Sequence, residues 1–159
     1  MSVSPLSDNS VRVLQVDSVN SMTWLITSLA VLANSFDGMH CMVGVVILGV
    51  GDPTAAWFGR FYGKHRLSNG KSLEGLLGFV IVSILASVVY FNVYHPAMGT
   101  TLMWQCATLA SIAGGLAELM TSMVTEKVDD NFTVPVAAAF ALWCFLGNDF
   151  MPKTYRFNL

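Results

Sequence analysis

A chain of 159 residues that is 54% hydrophobic and 11% charged, with mean hydropathy +0.60, has too little polar surface to face water all round. Soluble domains carry about a quarter charged residues, so the composition places this chain in the membrane class. Its formal net charge of −2 excludes a global basic field for nucleic acid, so no nucleic-acid partner is expected.

The first segment, Met1–Asn20, is polar with scattered valines and reads as an N-terminal tail, frayed or lying on a surface; Asp8 and Asp17 argue against a cleaved signal peptide. Ser21–Asn34 and Met39–Val50 are apolar, separated by Ser35-Phe36-Asp37-Gly38. Each run is shorter than the roughly 20 residues that span a bilayer. Either two short or tilted helices turn at Asp37-Gly38, the usual role of Asp-Gly, or one long helix is broken there. The first is favoured.

Gly51–Gly75 is a polar, glycine-punctuated island with Asp52 early, Glu74 late, and Arg60, Lys64, His65, Arg66 and Lys71 between them. Gly51, Gly59, Gly63 and Gly70 permit sharp turns and close backbone approach to a ligand. Cationic side chains with exposed backbone N–H groups suit a polyphosphate, and a nearby carboxylate suits its Mg²⁺. An ordinary basic loop between spans has the same composition.

Leu76–Tyr94 is a full-length span that His95-Pro96 ends, because proline cannot continue a helix. Met98–Leu116 follows, with Ala107, Ala110, Ser111, Gly114 and Gly115 letting a neighbouring helix approach closely. Ala117–Thr133 is polar and holds Glu118, Glu126, Lys127, Asp129, Asp130 and Asn131. Adjacent carboxylates followed by an amide are hard oxygen donors of the kind Mg²⁺ prefers, although Asp129 or Asp130 could equally cap a helix with Pro135 early in it. Glu118, at the end of a span, is a functional candidate by position. A last span covers Val134 to about Leu146, and an aromatic, mildly basic tail closes the chain.

Cys41, Cys106 and Cys144 lie in apolar runs without disulfide or zinc spacing, and His40, His65 and His95 are too scattered for a histidine metal site. The fold class is therefore all-α: a polytopic transmembrane bundle of about five spans, with a domain over 21–147 between tails at 1–20 and 148–159. One span leaves the basic island and the next returns, so the two polar segments share a face. The hairpin between the spans lacks Lys and Arg, which puts that face in the cytoplasm, although Lys153 and Arg156 on the other side run against the tendency.

GDPTAAWFGRFYGK, then KSLEGLLG, then VDDNFTVP at Val128–Pro135 together resemble the CTP-dependent lipid kinases: the dolichol (polyprenol), phytol and diacylglycerol kinases, related to phosphatidate cytidylyltransferases. The resemblance implies transfer of the γ-phosphoryl group of CTP to the hydroxyl of a membrane lipid alcohol. It implies Mg²⁺ held by Asp52 with Asp129, Asp130 and Asn131, and a triphosphate held by Arg60, Lys64 and Lys71 and lined by Gly51, Gly59, Gly63 and Ser72. Asp52, Glu74 and Glu118 are the implied catalytic acids, with Glu74 or Glu118 handling the hydroxyl proton, and the lipid tail would lie along the spans at 76–94 and 98–116. The VDDNFTVP block is closer to the diacylglycerol and phytol members than to the dolichol kinases.

Such enzymes usually have more spans ahead of the GD motif, and a basic segment near the start that is not seen here. This chain is then a reduced form, a fragment, or one that completes its bundle as a homodimer. The membrane would be the endoplasmic reticulum in a eukaryote or the plasma membrane in a prokaryote. A cytidylyltransferase is the alternative activity, although its C-terminal paired-aspartate motif is missing. A non-catalytic membrane subunit or small transporter is the alternative from another class.

Overall fold

The computed structural model describes the backbone of residues 8–67, 70–124 and 129–147. Five helices and no strand occur among the described residues: α1 (Asp8–Ser35), α2 (Gly38–Tyr62), α3 (Leu73–Tyr94), α4 (Thr100–Val124) and α5 (Asp130–Leu146). The break between α1 and α2 falls at Asp37, which precedes α2 in extended conformation, as the two-helix reading expected. Glu126, Lys127 and the tail at 148–159 lie outside the described residues.

The helices are longer than the apolar runs. Helix α1 takes in residues 8–20, which the sequence suggested as tail, and α4 runs on past Glu118 to Val124. Helix α2 continues through Gly51, Asp52 and Pro53 to Tyr62, so half of the polar island is helical and not loop. Proline removes a helical donor and crowds the carbonyl four residues back, here that of Gly49. The Thr54 hydroxyl donates to the Val50 carbonyl at 2.6 Å, one of the side-chain bonds that let apolar helices tolerate such an interruption.

Helix α2 packs on α3 and α5, α3 on α4, and α4 on α5, which closes a four-helix ring; α1 lies outside it, mainly against α5. Small residues set the spacing. A Cβ on Gly44 would stand 2.5 Å from the Pro135 carbonyl oxygen, so α2 and α5 touch backbone to backbone. Gly114 sits at the centre, its Cβ position 3.0 Å from Ile47, 3.5 Å from Val134 and 3.6 Å from Phe79. Ala107, Ala110 and Ser111 on the same helix are fully buried, in keeping with the small-residue face seen in the sequence.

The outside is apolar as well. Helix α3 exposes Leu77, Ile81, Leu85, Val89 and Val93 at intervals of four, and α4 exposes Trp104, Ile112, Leu116 and Met120. A helix apolar all round belongs in a core or in lipid. By length and composition α2 and α3 can each cross a bilayer, and α5 is apolar but shorter. All chemistry-bearing groups described below collect at one end of the ring, where α2 and α4 finish and α3 and α5 begin.

Candidate active site

The connection from α2 to α3 is folded back on itself. Arg66 and Ser72 pair as an isolated antiparallel bridge, the Leu67 amide donates to the Lys71 carbonyl at 2.7 Å, and the Gly70 amide donates to the Leu67 carbonyl at 3.0 Å. Gly70 has φ +81°, a conformation that glycine adopts without steric cost. The base is clasped by Glu74, whose carboxylate accepts from the His65 amide at 3.2 Å and lies 2.7 Å from His65 Nδ1. Ser72 caps α3, its hydroxyl accepting from the Gly75 amide at 3.1 Å. The same hydroxyl would lie 3.1 Å from a Cβ on Gly59, and a Cβ on Gly75 would meet the Ala55 carbonyl at 2.8 Å. These glycines therefore bring α2 and α3 together, and Gly70 alone of the four early glycines has positive φ.

This fold-back carries Lys71 across the end of the bundle. Its ammonium donates to Glu118 Oε1 at 2.6 Å and to the Glu118 carbonyl at 3.0 Å, and lies 3.5 Å from Asp130 Oδ2. Asp52 from α2, Glu118 from α4 and Asp130 from α5 bring one carboxylate oxygen each within 4.8 Å of one another. Three carboxylates converging from three helices fit a hard divalent cation, which takes oxygen ligands. A cavity of about 400 Å³ opens beside them; Arg60, Arg66 and Lys71 supply its cations, and Leu76 and Leu119 an apolar wall.

Asp130, ahead of the apolar part of α5, has its carboxyl pushed up to about 7, by burial first and then by its hydrogen bond with Asp129. Burial acts on Asp129 in the same direction, but bonds from Asp130, Ser21 and Asn131 outweigh it and hold that carboxyl below its ordinary value. Asp129 is the N-cap of α5, accepting from the Asn131 amide at 3.2 Å.

Of the expected site residues, Asp52, Gly59, Arg60, Lys71, Ser72, Glu118 and Asp130 line the one cavity. Gly51 instead packs against Phe79 and Ser83 of α3, Gly63 ends α2 against Ser72, and Lys64 is exposed outside the lining. Glu74 is turned to His65, while Asp129 and Asn131 bond to each other and to Ser21. Sequence reasoning gave no role to Ala55, Ala56, Leu67, Gly75, Leu76 and Leu119, and named Arg66 only as a loop cation. The helical spacing of Ala55, Ala56 and Gly59 on one α2 face was the signal available, once α2 was taken to continue past Val50.

Three similar proteins are a CTP-dependent diacylglycerol kinase from Eremothecium gossypii, a phytol kinase from Synechocystis and a phosphatidate cytidylyltransferase from Staphylococcus epidermidis. The first is 28% identical over 142 residues, 80% of this chain and 45% of the kinase. The second is 30% identical over 104 residues, 64% of this chain and 42% of the relative, and the third 26% identical over 145 residues, 70% and 56%. The chain thus spans about half the length of the curated relatives it matches. No solved structure matches it. Residues 10–129 match the cytidylyltransferase family, well over half of the sequence, and the chain belongs to that family.

Proposed function

We propose that this chain holds the catalytic site of an integral-membrane, CTP-dependent lipid kinase that phosphorylates diacylglycerol, phytol or a polyprenol. The observation that carries the reading is the meeting of Asp52, Glu118 and Asp130 with Lys71, Arg60 and Arg66 in one cavity at the end of an apolar bundle. The relatives named as CTP-dependent diacylglycerol kinase and phytol kinase support it.

Phosphoryl transfer needs positioning and charge stabilisation more than covalent chemistry. Arg60 and Arg66 would grip the triphosphate oxygens, for which the guanidinium fork is suited. Asp52 and Asp130 would hold Mg²⁺, which supplies charge neutralisation on the phosphates when bound, and Glu118, whose carboxylate oxygen is within 4.8 Å of theirs, would serve the acceptor hydroxyl. The lipid hydroxyl would enter past Leu76 and Leu119, between α3 and α4, with its tail in the bilayer. Its oxygen attacks the γ-phosphorus as the bond to the β-phosphate oxygen breaks. CDP leaves, and Glu118 takes the hydroxyl proton. We place the protein as multi-pass, with 21–147 as its membrane domain and the cavity facing the cytoplasm. The membrane would be the endoplasmic reticulum of a eukaryote or the plasma membrane of a prokaryote, and the protein would pair there as a homodimer.

The family and the Staphylococcus epidermidis relative favour a second reading, formation of a CDP-lipid from a phosphatidic acid. Purified protein given CTP labelled at the α or γ position, with mixed lipid alcohols and phosphatidic acid, separates the two. Label from the γ position in lipid supports the kinase, label from the α position the cytidylyltransferase, and neither a non-catalytic subunit. Asp52→Asn is expected to abolish labelling while leaving the protein folded; full activity in that variant removes Asp52 from the site.

A further inference from the structure

We infer that Ser21, on the helix outside the four-helix ring, is a positioning residue for Asp130 and acts through Asp129; this rests on the reading of Asp130 as a cation ligand. Asp129 and Asp130 are adjacent, so sequence offers no reason for one rather than the other to face the cavity. The structure divides them. Ser21 Oγ donates to Asp129 Oδ2 at 2.7 Å. Asp129 Oδ1 accepts from the Asn131 amide at 3.2 Å and from Asn131 Nδ2 at 3.0 Å. Asn131 Nδ2 also lies 3.4 Å from Ser21 Oγ, which closes a three-residue knot between α1 and the start of α5. The Trp24 and Phe132 rings, 5.7 Å apart, pack beside it and fix the height of α1 against α5.

Asp129 is thus held by Ser21 of α1 through Oδ2 and by Asn131 of α5 through Oδ1, and it also bonds to Asp130, which is the acid of the two that lies against Lys71 and joins Asp52 and Glu118. Without the Ser21 hydroxyl, Asp129 keeps its bonds to Asp130 and Asn131 but loses its tie to α1, and its carboxylate is then able to shift toward the cavity. The cap that orients Asp130 then has two arrangements in place of one. Groups that hold a ligand in place from behind it typically change metal affinity by about 10–100-fold when removed. A hydroxyl acting on a cap one residue away belongs at the lower end of that range.

The test follows thermal unfolding of the purified full chain by tryptophan fluorescence while Mg²⁺ is titrated without nucleotide. Wild-type protein is expected to gain stability with Mg²⁺, and Asp52→Asn to lose that gain. Ser21→Ala should raise the half-saturating Mg²⁺ concentration about tenfold, and Ser21→Thr, which keeps the hydroxyl, should restore the wild-type value. If the wild type responds but Ser21→Ala matches it, or Ser21→Thr is as weak as Ser21→Ala, the positioning role is overturned and the cation site stands. If the wild type shows no response that depends on Asp52, the cation site fails and Ser21 loses its role with it.

Discussion

Replacing Lys71 with methionine isolates the electrostatic core of the site, because the side chain keeps its approximate length and loses only its charge and donors. Lys71 is the cation among three carboxylates, 2.6 Å from Glu118 and 3.5 Å from Asp130. The Glu118 side chain is 6% exposed and that of Lys71 31%. Stripping the partner from a fully buried ion costs about 3–5 kcal/mol, and partial solvation of Lys71 brings the expected loss to roughly 2–3 kcal/mol. For a chain of this size each kcal/mol moves the unfolding midpoint by about 2–4 °C, so Lys71→Met should unfold some 5–10 °C below wild type in divalent-free buffer. Saturating Mg²⁺ supplies the missing positive charge and should narrow that gap. Differential scanning fluorimetry of detergent-solubilised protein measures both, with Lys64→Met as the control for an exposed cation outside the cavity. Equal midpoints for Lys71→Met and wild type, or an equal drop in Lys64→Met, would refute the assignment of Lys71 as the counter-ion of the cluster.

Glu118 and Glu74 should separate cleanly in a phosphoryl-transfer assay. Glu118→Gln should lose about 100-fold or more, the lower range for a general base, whereas Glu74→Ala should keep most of the rate because its carboxylate faces His65. Glu74 also sets a pH expectation. Its carboxyl is held down from 4.5 to about 2, chiefly by the hydrogen bond from the His65 ring. A depressed carboxylate contributes above its ordinary value and is lost as pH falls through the folded one. Hydrogen-exchange protection of the His65 amide should therefore hold from neutrality down to 4.5 and fade toward 2, and Glu74→Ala should lack it throughout. In the bundle, Gly44→Ala should cost about 1–3 kcal/mol in equilibrium unfolding, since its Cβ meets the Pro135 backbone. Gly49→Ala meets nothing within 4 Å and should be neutral or stabilise by up to about 1 kcal/mol.

The end of α3 at His95-Pro96, the small-residue face of α4 and the break at Asp37 could all be read from the chain, because proline, packing glycines and Asp-Gly act locally. The continuation of α2 through Gly51-Asp52-Pro53 could not. Those residues are poor helix formers one by one, and in the fold this part of α2 lies packed along α3, Gly51 against Phe79 and Ser83 and the Ala55 carbonyl against Gly75, contacts that no local rule encodes. The same limit applied to the acids. Position at the end of a span favoured Glu118 on paper, but which of Glu74 and Glu118 would handle the hydroxyl proton stayed open, and only the fold turned one to His65 and the other to Lys71.

By itself the sequence determined an apolar, helical chain with runs long enough to cross a bilayer, the two polar segments and the acids and cations they carry, since these follow from composition and local propensity. Tertiary structure alone decided which acids converge. Asp52, Glu118 and Asp130 come from three helices, and their distances depend on how α2, α4 and α5 cross, which no local rule encodes.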